Sequence, residues 1–163
     1  MFVAQEGYAA LADFQDDKRH PHEMGSHPLQ AVLEALSLKF IVRSPLLSPR
    51  ELMGELLALE LEGFAVTHSG APFLEVLAPG VSKAWGVARL CERLGMAASE
   101  VLAFGDAMND AELLRWAGRG VAMANAEPEA LEAADEVTLS NDEDGVAAVI
   151  ERLLETQGGS IRH

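Results

Sequence analysis

Two aspartates and an asparagine fall within GDAMND, Gly105 to Asp110, directly after the apolar run VLAF. Oxygen ligands of this kind suit hard divalent cations: Mg2+ takes one or two carboxylates and fills its other positions with water and substrate phosphate. The same residue types also cap helices, because an Asn or Asp oxygen accepts from the unpaired N–H groups of a first turn without any metal. Asn109 alone fits the cap, and the two aspartates beside a glycine fit either reading. Lys83, in GVSKAW, adds a compact positive charge of the kind that neutralises phosphate oxygens or carboxylates. A single lysine is as readily a solvated surface residue, so spacing leaves both readings open.

For these groups to act together, the elements that carry them must deliver them to one place. From Pro79 onward the sequence alternates: SKAWGVARLCERLG reads as helix, EVLAFG as strand, DAELLRWAG as helix, GVAM as strand, PEALEAAD as helix, EVTL as strand and DGVAAVIERLLE as helix. Such alternation predicts right-handed crossovers and a parallel sheet flanked by helices, and short uninterrupted apolar strands fit burial on both faces. Ligands collect beyond the carboxyl ends of the strands in sheets of this type. Asp106 falls at such an end, Gly105 permits a sharp turn, and Asn109 and Asp110 arrive at the opening of the next helix. Lys83 lies upstream by one helix and one strand, just past Gly80 and Ser82.

Before Pro79 the pattern is that of a small α+β unit. LSLKFIVRS reads as a strand, and SPRELMGELLALE as a helix with Ser48 and Glu51 forming a capping box, Pro49 at the first helical position, and Leu52, Met53, Leu56 and Leu57 as its apolar stripe. GFAVTHSG and FLEVL read as two further strands joined across HSGAP. QDDKRHPHEMGSHP reads as a polar loop, with Pro28 opening a short helix through Leu36. The expected division is therefore an α+β unit over residues 1–78, an α/β unit over 79–155, and a flexible tail over 156–163.

Composition narrows the partners. A chain of 163 residues with 49% hydrophobic content can bury a core of one domain or two small ones. No apolar run of about 18 residues is present and the start lacks a signal-peptide pattern, so a cytoplasmic location is expected. Twenty-six acidic against twelve basic residues give a formal charge of −14, which disfavours nucleic acid and anionic membranes. A small phosphorylated metabolite escorted by a cation remains compatible. Cys91, at helical spacing with Val87, Leu90 and Leu94, reads as a buried apolar filler.

PGVSKAWGVARLCERLG, VLAFGDAMNDAELL, GVAMANAEPEALEAADEVT and NDEDGVAAVIERLL, in that order and separation, resemble the third and fourth motifs and closing region of haloacid dehalogenase-like phosphatases. The branch most similar is the Cof-type, or sucrose-phosphatase-like, hydrolases. The resemblance implies the C-terminal part of a Rossmann-like core from Pro79 to Leu154, and in the LKFIV to FLEVL region a partial α+β cap. It implies Mg2+ as cofactor and small phosphate esters, often sugar phosphates, as substrates. Lys83 would steady the phosphoryl group and nucleophile, Asp106 would bind Mg2+, Asp110 would support or join the metal shell, and Asn109 would orient phosphate or metal-bound water. Asn125, in AMANA, matches an asparagine near the family's site; Ala124 stands where members commonly carry glycine.

Members of that family also use a D-x-D motif on an N-terminal strand, whose first aspartate attacks phosphorus, and a Ser/Thr phosphate-binding motif on the next strand. The start of this sequence shows neither, since ADFQDD has neither the spacing nor a preceding apolar strand. The expectation is a truncated phosphatase, inactive alone, with Asp13, Asp16 and Asp17 as loop residues rather than nucleophiles. The alternative is a noncatalytic Mg2+- or phosphate-binding or protein-interaction module. Without the nucleophile strand, EVLAFG would offer an apolar edge open to the missing segment or to self-association.

Other candidates are weaker. His20, His22 and His27 lie in a polar loop and read as solvated rather than as a zinc site. NDEDG lacks the later ligands of a calcium loop and reads as the lead into the last helix. Trp85 and Trp116 fit helical packing stripes, and Glu75 an outward strand position with a small chance of substrate contact.

Overall fold

Serine caps set two of the helix starts. In a computed structural model that describes residues 4–11 and 25–158, the chain forms α1 (Tyr8–Leu11), α2 (Leu29–Glu34), β1 (Lys39–Val42), α3 (Pro49–Ala58), β2 (Ala65–Thr67), β3 (Leu74–Leu77), α4 (Lys83–Leu94), β4 (Leu102–Gly105), α5 (Ala111–Trp116), β5 (Arg119–Ala122), α6 (Pro128–Ala133), β6 (Glu136–Val137) and α7 (Gly145–Gly158). Asp13, Asp16, Asp17, His20 and His22 lie outside the described residues. The expected capping box opens α3, with Ser48 Oγ accepting from Glu51 N and the Glu51 carboxylate accepting from Ser48 N. Ser82 caps α4 by accepting from Trp85 N at 3.1 Å, and Gly95 ends it in the left-handed conformation. α7 continues to Gly158, three residues into the segment expected as tail.

Two compact units divide the chain, Met1–Phe40 and Ile41–His163. In the first, a parallel bridge pairs Gln5 with His27, with Glu6 N donating to His27 O at 2.9 Å. Among the described residues the chain forms two sheets. β2 and β3 are antiparallel, from Ala65 opposite Leu77 to Thr67 opposite Glu75, in a sheet of order β1-β3-β2. The other sheet is parallel throughout, in the order β4-β5-β6. The expected parallel α/β architecture and the small α+β sheet are both present, and β4 stands at an edge of its sheet among the described strands.

The core lies where α5 and α6 meet the parallel sheet. Ala103, Ala111, Leu114, Ala117, Ala122, Ala130 and Ala133 form one buried cluster, with Trp116 and Val101 packed against it. Its alanines let helix and strand backbones approach closely, and burying Leu114 completely contributes about 2 kcal/mol. Cys91 is buried, as its spacing predicts.

Three side chains depart from expectation. Trp85 does not pack inward: it is half exposed, with the Arg89 guanidinium 5.6 Å from its ring centroid, a cation–π contact. Leu57 is exposed although it falls on the α3 apolar stripe. Glu75 is buried rather than outward, on β3. Four residues of strand are too few for alternation to distinguish the covered face.

One long-range pair ties the small sheet's helix to the parallel-sheet layer. Arg50 on α3 forms a bidentate pair with Glu129 on α6, both contacts 2.8 Å. Arg50, mainly by hydrogen bonding, holds the Glu129 carboxyl down at about 2. A folded-state value below the unfolded one means that the pair's stabilisation is complete above the ordinary glutamate value of 4.5 and fades as pH falls toward about 2. Arg50→Ala should therefore be less stable than wild type at neutral pH, by a small and salt-sensitive margin because both groups meet solvent. Urea midpoints taken across that acid range should converge; a gap that persists at the acid end would assign the loss to packing instead.

Candidate functional site

At the carboxyl end of β4 the backbone leaves the sheet at Gly105, which pairs with Ala122 of β5. Asp106 is the first residue beyond the strand, and Met108–Asp110 close a 3-10 turn that runs directly into α5. Asp110 locks this turn. Its Oδ2 accepts from Asp106 N and Ala107 N, both at 3.1 Å, and its Oδ1 accepts from the Lys83 ammonium. The carboxylate is buried while Lys83 is half exposed. Lys83 opens α4, where the helix dipole is unfavourable to a cation, so the Asp110 carboxylate supplies the compensating charge.

Asp106 stands in a different environment. Its Oδ2 accepts from Asn141 Nδ2 at 2.7 Å, and its carbonyl accepts from Glu127 N at 2.8 Å. Among the described residues its carboxylate pairs with no cation, so it keeps the negative charge that Asp110 shares with Lys83. Asn109 Oδ1 is buried with no hydrogen-bond partner. Asn125 Oδ1 accepts from Asn141 N at 2.9 Å, which places Asn125 one residue contact away from Asp106. Ala124 is not among the residues of positive φ, so the missing glycine imposes no strain there.

The structure thus brings Lys83, Asp106, Asp110 and Asn125 to one edge of the parallel sheet, linked by direct or single-residue contacts, with Asn109 in the same turn. The capping role falls to Asp110, which satisfies two backbone amides, and not to Asn109, whose Oδ1 accepts nothing among the described residues; Asp106 presents a carboxylate at the strand exit. Two contributors are given no role at this site by the sequence reading. Asn141 follows β6, and its position after a third parallel strand could have signalled the same sheet edge. Glu127 accepts from Met108 N at 2.7 Å through Oε2, while its Oε1 lies 3.6 Å from Nδ1 of the buried His68. A glutamate just before Pro128 gives no sequence sign of that reach.

Fit to a hard cation can be tested on these atoms. Asp106 Oδ1 and the unpartnered Asn109 Oδ1 are oxygen donors of the type Mg2+ takes. Among the described residues no three His, Cys, Asp or Glu side chains gather as a closed cage. An ion held by one carboxylate and completed by water and phosphate is compatible with this donor set; a structural zinc site is not.

A parallel sheet flanked by helices, with a lysine and two aspartates at its carboxyl edge, defines a Rossmann-like α/β domain. Residues 16–150 match the haloacid dehalogenase-like hydrolase family, and the chain belongs to it. It is 44% identical over 85 residues to the 5-amino-6-(5-phospho-D-ribitylamino)uracil phosphatase YcsE of Bacillus subtilis, covering 52% of this chain and 34% of that one. A haloacid dehalogenase-like hydrolase from Bacteroides thetaiotaomicron is similar in structure at TM-score 0.59 and 36% identity, covering 82% of this chain and 51% of that chain. The subclass IIB sugar phosphatase BT4131 shares the fold at TM-score 0.77 and 22% identity, over 93% of this chain and 56% of its own. The chain spans about a third of the length of the curated relatives it matches. No described helix is long and apolar enough to cross a membrane.

Proposed function

We propose that this chain carries the lysine and acid half of a Mg2+-dependent phosphomonoesterase site of the Cof-type branch, acting in the cytoplasm on small phosphate esters such as sugar phosphates. The observation that carries the reading is the unequal pair of aspartates. Asp110 is neutralised by Lys83 and spent on the turn, so Asp106, whose Oδ1 makes no hydrogen bond among the described residues, is the residue to hold the cation directly. Mg2+ bound there would supply a positive charge against phosphate oxygens. Lys83 would hold a second phosphate oxygen as well as Asp110, and Asn109 would orient the phosphate or a water. Asn125 would act through Asn141. The nucleophile is not assigned to any described residue, so complete turnover needs residues beyond this half-site.

A noncatalytic Mg2+- or phosphate-binding module is the second reading, favoured by β4 standing at an edge of its sheet. That edge would pair with a further segment or with another copy of the chain. Release of phosphate from a general phosphate ester, measured with and without Mg2+, separates the two. Mg2+-dependent turnover that Asp106→Asn removes supports the enzyme. Inert protein that binds Mg2+ and loses it in Asp106→Asn supports the module only if turnover is still absent when a segment of a relative carrying the D-x-D strand is supplied in trans; turnover restored in that way supports the half-site. Failure of wild type to bind Mg2+ overturns the enzyme reading, and failure to bind inorganic phosphate as well overturns both.

A further inference from the structure

Asp106 receives a side-chain hydrogen bond from Asn141, the first residue of the closing NDEDG stretch, to which the resemblance assigns no role. Asn141 Nδ2 donates to Asp106 Oδ2 at 2.7 Å across 35 residues of sequence. We infer that Asn141 is a positioning residue that holds Oδ2 of Asp106 and thereby leaves Oδ1 turned out for a divalent cation. This rests on the reading of Asp106 as the cation's ligand.

Two features of the chemistry support the role. A neutral amide donor fixes a carboxylate's rotation without cancelling its charge, whereas a lysine at the same place would compete with the cation as Lys83 does at Asp110. The loop that presents Asn141 is also rigidly specified. Ser140 and Glu143 form a capping box around the 3-10 turn Asn141–Glu143, with Ser140 Oγ donating to Glu143 Oε2 at 2.6 Å. Asn125 Oδ1 receives Asn141 N, and Ala124 N donates to Leu139 O at 3.3 Å. Just after the turn, Gly145 lies so close to the preceding strand exit that a Cβ there would fall 2.1 Å from Leu139 O. Backbone approach of that kind excludes any larger residue, and Thr138 Oγ1 closes the loop by donating to Gly145 O at 2.9 Å. So many constraints on one short loop fix a single amide against Asp106.

The test is a Mg2+ titration of the whole chain, followed by the backbone amide signals of Gly105 to Asp110, for wild type and Asn141→Ala. Asn141→Ala should bind Mg2+ about tenfold more weakly, as loss of an outer-shell partner does. Before Mg2+ only the Asp106 amide signal should differ from wild type, and the unfolding midpoint should match. In metal-free wild type the Asn141 side-chain amide signals should move when Asp106 is changed to Ala. Equal affinity of wild type and Asn141→Ala would overturn this inference alone. Signals of Ala107 to Asp110 already displaced in metal-free Asn141→Ala would make the residue a support of the fold and overturn it too. A wild type that binds no Mg2+ would overturn the reading of Asp106 itself.

Discussion

Asp110→Ala should lower the free energy of unfolding by about 3 kcal/mol, because it strips the turn of three partners at once. Asp106 N and Ala107 N would lose their shared acceptor, and a buried N–H left without one costs about 1–3 kcal/mol. The ion pair adds less than its contact suggests, since Lys83 is half exposed and regains water when the carboxylate is gone. Asp110→Asn separates the two contributions. One amide oxygen can still serve the backbone N–H groups while the charge opposite Lys83 disappears, so the loss should be about half as large. Urea unfolding of the three proteins measures this; an alanine variant within about 0.5 kcal/mol of wild type, the range of ordinary surface changes, would mean that the turn stands without its carboxylate.

That dependence explains which parts of the site were legible from sequence. The order and type of the elements follow from periodicity and turn residues. VLAF before a glycine, Ser48 and Ser82 before helical stripes, and Gly95 after one are local signals, and β4, α3 and α4 form where those signals place them. Sequence leaves open whether Lys83 shares the carboxyl edge of Asp106 and Asp110, because its helix follows a strand of the other sheet; the structure joins Lys83 to Asp110. What spacing could not distinguish was the division of labour between the aspartates. Both lie at a strand exit, and only the positions of Lys83, two backbone amides and Asn141 make one a neutralised brace and the other a free carboxylate. Asn141 and Glu127 escaped for the same reason: each reaches the turn from another strand's exit, so no local pattern records the contact. Trp85 and Glu75 mark the converse limit, where a correct element does not reveal which of its faces is covered.

Gly105→Ala should be at least as damaging as loss of the carboxylate, and by a route that a propensity scale would miss. A methyl group at Gly105 would lie 2.4 Å from Asp110 Cβ and 2.9 Å from its Cγ. Neither is the far end of a flexible side chain, so the turn must move, taking the Asp110 oxygens away from Asp106 N and Ala107 N. Overpacking of this severity costs about 3 kcal/mol, and it should also abolish Mg2+ binding at Asp106, whose backbone is carried by the same turn. Gly86 provides the contrast. It lies within α4 with nothing within 4 Å of an added Cβ, so Gly86→Ala should stabilise by about 0.5–1 kcal/mol. Opposite signs for one chemical change would show that it is the approach of Asp110 to the strand end, and not glycine content, that shapes the site. If the mechanism is displacement of Asp110, adding Gly105→Ala to Asp110→Gly should cost less than Gly105→Ala alone, because both the Cβ it would strike and the bonds it would break are already gone. Costs that simply add would place the damage in β4 rather than in the turn.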